Sequence, residues 1–253
     1  MTTLPVDPAL LVRLLQLASP ALPVGGFSYS QGLEAAIDTG WVSSAGQTRD
    51  WLQGLLAGPV GHAEARWLAR LLRAWREGQP PDVLARLDAL YQASREGSQL
   101  LAETRQMAWS LLRLLAALPA ELPGPRLPVL LPVLQTLAAQ RPPAYPLVWS
   151  CLAVGMAIDD ASAVQAWLWT WLENQVMVAI KTIPLGQNAG QALLFELAAQ
   201  LPALAQAAVA QAAYGACDDD PAEGDDDGPG NFAPGFALAC TRHETQYSRL
   251  FRS

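Results

Sequence analysis

The stretch SAVQAWLWTWLENQVMVAIKTIP, residues 162–184, decides the fold. Its apolar residues recur at helical spacing instead of alternating, with Trp167 and Trp171 on one face and Trp169 on another. A helix that is apolar nearly all round belongs at the centre of a core or in a membrane. Glu173, Asn174 and Gln175 interrupt it, which argues against lipid. Ile183 precedes Pro184 and is biased away from helical geometry, so the helix should end there.

The same periodicity extends outward in both directions. Asp7 followed by Pro8 predicts an N-cap and a first helical residue, with Leu10, Leu14 and Leu17 along one face. Ser44 and Gln47 form a capping box that opens another helix. Further helices are expected over 59–76, 82–94, 98–118, 127–139 and 146–158, separated by breaks rich in Pro and Gly. Asn188 with Gln191 predicts the cap of a helix running to about Leu201, and Pro202 the start of the next. The expected fold class is all-α, a single compact multi-helix bundle over residues 1–216.

Composition narrows the function classes. Of 253 residues, 51% are hydrophobic and only 15% charged, against roughly 25% charged in an average soluble domain. Apolar area should therefore remain exposed, as at partner or oligomer interfaces. The formal net charge is −7, and residues 217–227 (CDDDPAEGDDD) carry seven acidic groups, so the remainder is neutral. With no basic field, nucleic-acid binding is not expected. Residues 217–235 should form a solvated acidic linker, flexible and disordered, before a C-terminal tail at 236–253. In that tail Cys240, His243, Tyr247, Leu250 and Phe251 share one helical face, consistent with folding back on the bundle or with docking in a partner's groove. Three widely spaced cysteines do not suggest a disulfide framework. No signal peptide is expected, and the longest uncharged run, 197–217, is a poor membrane span; a cytoplasmic protein is expected.

The segment SPALPVGGFSYSQGLE, residues 19–34, invites three chemical readings. A nucleophile elbow needs Gly two residues after its serine, whereas Ser28 is followed by Tyr29 and Ser30. A phosphate loop needs Gly-Lys-Ser/Thr, but the chain's one lysine, Lys181, follows Ile180. What remains is a joint between helices, with Gly25 and Gly26 supplying backbone freedom and Ser28 with Gln31 a capping box. Gly32 inside the next helix would mark close approach of a neighbour. For metals there is only a lone Cys240–His243 pair and the acidic cluster, so no metal site is expected. Lys181 stands out against fifteen arginines. A helix end accepts either cation, so a contact role for its compact ammonium is the favoured reading.

Three blocks carry a family resemblance: LLQLASPALPVGGFSYSQGLEAAIDTGWV (14–42), VMVAIKTIPLGQ (176–187) and RHETQYSRLFRS (242–253). Together they resemble the urease accessory protein UreF family over the length of the chain. The resemblance implies an all-helical homodimer with no catalytic activity and no cofactor. It implies a complex with UreD (also called UreH) and the GTPase UreG that couples GTP hydrolysis to nickel delivery into apo-urease. By the same resemblance Lys181 and Glu34 belong to the UreG side, while Arg242, Tyr247, Arg249, Leu250 and Phe251 dock on UreD. Gly25, Gly26, Ser28, Tyr29 and Ser30 become a joint at or near a protein contact. The alternative is a direct nickel carrier or buffer using the acidic cluster with Cys217, Cys240 and His243. A hydrolase built on Ser28 is the third class.

Overall fold

The structure is a computed structural model and describes residues 7–119, 124–214 and 233–252. Every regular element among them is helical. In chain order these are α1 (Pro8–Leu17), α2 (Leu33–Asp38), α3 (Ala45–Leu56), α4 (Ala65–Glu77), α5 (Pro81–Ala93), α6 (Ser98–Ala117) and α7 (Leu127–Gln140). They continue with α8 (Tyr145–Gly155), α9 (Asp160–Thr182), α10 (Gln187–Ala198), α11 (Leu201–Tyr214) and α12 (Pro234–Thr245). A 3₁₀ turn at Gly26–Ser28 precedes α2, and a π-helical turn at Pro59–Glu64 runs into α4. The helices pack as one all-α bundle.

Local chemistry sets the ends. Asp7 accepts from the Ala9 amide at 3.0 Å with Pro8 in the first turn. Ser44 accepts from the Gln47 amide at 3.3 Å, and the Gln47 side chain returns to the Ser43 amide at 2.9 Å. Ile183 ends α9 in extended geometry, as Pro184 requires. Two expectations fail. Asn188 lies inside α10, whose N-cap is Gly186 at φ 73°. The tail helix stops at Thr245, because Gln246 is extended, so Tyr247, Leu250 and Phe251 do not continue its face. The acidic segment 217–227 lies outside the described residues, and α12 already begins at Pro234.

Around α9 lie α1, α2, α3, α4, α10 and α11. Next to this group α8 is the fully enclosed helix, since every residue from Tyr145 to Gly155 is buried. Its orphan N-terminal amides are met from other helices: Asp88 accepts from Ala144 at 2.8 Å and Thr104 from Tyr145 at 2.9 Å. Trp75 donates to the Leu147 carbonyl at 3.2 Å, fixing α4 against it. Trp149 meets Trp167 edge-on at 5.3 Å between ring centroids, so the two central helices share an aromatic contact.

Among the described residues one apolar stretch, 187–212, has the length and composition to cross a membrane. It is two helices, α10 and α11, that meet at Ala199 and Gln200 and pack on α9, with α11 also against α4. Leu193, Leu194, Leu197, Leu201, Ala205 and Ala208 are buried in the core, while Phe195 is exposed.

One polar side chain in that core is anomalous. Gln175 is fully buried, and neither its Nε2 nor its Oε1 has a hydrogen-bond partner. An unmet buried group costs about 1–3 kcal/mol. Gln175→Met has a similar shape without that cost, and is expected to raise stability by about 1–3 kcal/mol, read as a higher urea midpoint at unchanged slope. A lower midpoint would mean that the amide is satisfied in solution.

Candidate functional site

The three blocks separated in sequence meet in space. A satellite core joins Leu33, Ala36 and Val42 from the first, Val178, Ala179 and Ile183 from the second, and Ala239 and Phe251 from the C-terminal part. It forms because α12 lies across α2, and α2 lies on the end of α9.

Glu34 is the polar centre of this junction. It is buried in the first turn of α2, where a carboxylate is favoured by the helix dipole. Its Oε1 accepts from the Leu250 amide at 2.6 Å. Oε2 accepts from the Phe251 amide at 3.1 Å and lies 3.0 Å from Nε2 of His243. Nδ1 of His243 faces Oε1 of Gln99 at 2.9 Å, so both ring nitrogens are engaged. One carboxylate thus ties the last turn of α12 and the residues beyond it to α2. The Arg252 amide adds a bond to the Ser28 carbonyl at 2.8 Å.

The joint before α2 differs from the expected capping box. Ser28 ends the 3₁₀ turn, and Gln31 sits at φ 49° ahead of Gly32 at φ 78°, which is the N-cap of α2. Gln31 cannot serve the local cap because its amide is used elsewhere. Nε2 donates to Glu103 at 2.7 Å, and Oε1 accepts from Trp171 Nε1 at 2.7 Å. Asn174 donates from Nδ2 to the Tyr29 carbonyl at 2.9 Å, so α9 holds the joint from beneath. Tyr29 and Ser30 are buried. Burial and the nearby Glu103 push the Tyr29 hydroxyl up, opposed by the Arg252 guanidinium that bonds it.

The expected approach at Gly32 is present. A Cβ there would lie 3.1 Å from the amide nitrogen and the Sγ of Cys240 and 3.2 Å from Ala239 Cβ. Gly25, also at φ 78°, faces open space.

Lys181 is exposed at the end of α9, with Nζ 5.7 Å from the centre of the Phe251 ring. With Phe27, Ser28, Leu250 and Arg252 these two residues line a shallow groove. Leu250 is 74% exposed and Tyr247 fully exposed, Arg249 is exposed, and Phe251 is buried. Arg242 stacks over Trp41, 5.0 Å from its ring centre. Lys181 and the tail, expected on different sides, therefore share one surface. Glu34 lies under that surface and acts on it through the tail it holds.

The chemical alternatives gain nothing from this geometry. The ring of His243 is occupied on both nitrogens, and burial pushes the Cys240 and Cys151 thiols up, away from the metal-binding thiolate form. No cluster of three potential metal ligands occurs among the described residues, and Cys217 lies outside them. Ser28 has no histidine beside it: His243 belongs to Glu34, and His62 is exposed in the π-helical turn.

Sequence reading gave Gln31 only a local cap and Asn174 only the interruption of an apolar helix, and it passed over Gln99 and Glu103, whose partners His243 and Gln31 lie far along the chain.

The UreF family model matches residues 42–198. The urease accessory protein UreF of Azoarcus sp. (strain BH72) is 47% identical over 247 residues, covering 96% of this chain and 95% of that protein. Its namesake from Dechloromonas aromatica (strain RCB) is 43% identical over 245 residues, covering 96% and 97%. The bifunctional urease accessory protein UreEF of Bordetella bronchiseptica is 43% identical over 249 residues, covering 98% of this chain and 53% of that protein.

Proposed function

The chain belongs to the UreF family of urease accessory proteins, and on that premise we propose that it is a non-enzymatic adaptor of urease maturation. It binds UreD and the GTPase UreG in the cytoplasm, as a homodimer, and couples GTP hydrolysis to delivery of nickel into apo-urease. Nickel is cargo in this reading. The observation that carries it is the shared surface of Lys181 and the docked tail. An exposed ammonium beside Leu250, on a base fixed by Glu34, has the makeup of a contact patch: an apolar anchor with a charge at its edge. Lys181 contributes to the UreG contact, and Arg242, Tyr247, Arg249 and Leu250 to that with UreD. Phe251 acts from below by holding the tail in place. On α1, Leu11, Val12 and Leu15 leave apolar area for a second copy to cover.

Co-expression with UreD and UreG, followed by sizing of the purified assembly, tests this. The wild-type chain is expected to elute with both partners. Removing residues 246–253 spares α12 and should release UreD. Lys181→Ala should weaken UreG retention about tenfold, the loss of one good interface contact. A chain that stays alone, or a Lys181→Ala complex with unchanged UreG content and GTP turnover, overturns the assignment.

A further inference from the structure

A half-open cleft of about 350 Å³ lies beside the 19–27 loop. The adaptor reading makes no use of it. The loop forms one side, α6 and α9 contribute others, and Phe236 of α12 reaches the lining as well. Its walls are mainly apolar and include the rings of Tyr145, Trp167 and Trp171. That volume is in the usual range for small-molecule sites, which set a few fixed polar groups in apolar walls.

Several polar side chains along the cleft are already engaged. Glu64, from the π-helical turn, pairs with Arg95. Glu103 accepts from Gln31 at 2.7 Å and is engaged elsewhere too. Thr170 donates to the Trp167 carbonyl at 2.8 Å, and Thr104 accepts from the Tyr145 amide at 2.9 Å. Two buried polar atoms of lining residues lack a hydrogen-bond partner among the described residues. One is Oδ1 of Asn174, a residue 9% exposed. Its amide orientation is fixed, because a flip would set that oxygen against the Tyr29 carbonyl that Nδ2 now serves. The other is Nε of Arg95, whose side chain is 5% exposed and whose other two nitrogens donate to Glu64 and Ser94. The lining thus holds one unmet acceptor and one unmet donor.

We infer that this cleft binds a small neutral carboxamide carried on an apolar body. The amide N–H supplies the donor that Asn174 Oδ1 lacks, and the amide C=O accepts from Arg95 Nε. The apolar body packs on the aromatic walls. An ester brings no N–H for Asn174, and an ammonium brings no acceptor for Arg95. A neutral ligand also leaves the pairing of Glu64 with Arg95 intact, whereas a charged one competes for one partner or the other. The inference goes beyond the adaptor role, and its test needs no partner protein.

The full chain is titrated with benzamide, methyl benzoate and benzylamine, three probes built on one ring. They offer, in turn, a donor with an acceptor, an acceptor alone, and donors alone. Tryptophan fluorescence and thermal shift are the readouts. Benzamide is expected to saturate, and to bind about tenfold more tightly than either of the others. Asn174→Ala removes the acceptor for the amide N–H, so benzamide should lose its lead and fall to the level of methyl benzoate, with the far-UV spectrum unchanged. Three outcomes overturn the inference: no saturable benzamide binding, equal or tighter binding of either other probe, or an undiminished lead of benzamide in a folded Asn174→Ala chain. The comparison of probes on the wild-type chain decides even if that variant does not fold.

Discussion

Glu34→Ala is expected to free the end of the chain. The carboxylate meets three donors, and alanine leaves the fully buried His243 ring and the Leu250 and Phe251 amides without their acceptor. Breaking a buried, hydrogen-bonded charge arrangement from one side costs about 3–5 kcal/mol. The chain has a cheaper course than bearing that cost in place. Residues 246–252 can lift off, returning their amides to water and giving up the burial of Phe251, itself about 1.5–3 kcal/mol. The loss should therefore be local: hydrogen exchange at the Leu250 and Phe251 amides should approach the unprotected rate while α4, α8 and α9 stay protected. Glu34→Gln keeps one acceptor but turns an amide group toward donors, so an intermediate effect is expected. Should protection at Leu250 and Phe251 survive in Glu34→Ala, the carboxylate is not what holds the tail. On the adaptor reading the same variant also loses partner capture, because Lys181 and Leu250 no longer share a fixed surface.

What the sequence disclosed and what it concealed divide by range. The helices of the bundle were legible because each buries a face whose spacing lies within one segment, and the caps at Asp7 and Ser44 are made within three residues. Ser28 with Gln31 has the same local pattern and fails. The Gln31 amide is claimed by Glu103 and Trp171, which lie 72 and 140 positions away. Nothing local announces such a claim. The tail shows a second limit. Helical spacing from Cys240 to Phe251 was real as a pattern, yet Gln246 leaves the helix, and the Glu34 carboxylate takes the Leu250 and Phe251 amides. Buried carboxylates that serve distant backbone leave no periodic trace. The family resemblance marked the three blocks as important, but their adjacency, which turns them into one site, appears only in the fold.

The second large effect is expected at Gly32, and a paired control separates its two causes. Gly32 and Gly25 both have φ 78°, so alanine at either position meets the left-handed penalty of about 1–2 kcal/mol. At Gly25 nothing lies within 4 Å of the added Cβ, and the penalty should stand alone. At Gly32 the Cβ also presses on Cys240 and Ala239, 3.1 to 3.2 Å away, which adds an overpacking cost of about 1–3 kcal/mol. Denaturant unfolding should thus show Gly32→Ala losing about 2–5 kcal/mol, the sum of the two, and Gly25→Ala only the first. Gly32→Val should cost more than Gly32→Ala, since branching enlarges the clash. The difference between the two alanine variants measures how firmly α12 is seated on α2. Equal losses would mean that α12 stands away from α2 in solution, and the surface shared by Lys181 and the tail would then lack its base. A larger loss at Gly32, accompanied by faster exchange at Leu250 and Phe251, ties the glycine to the same junction that Glu34 holds from within.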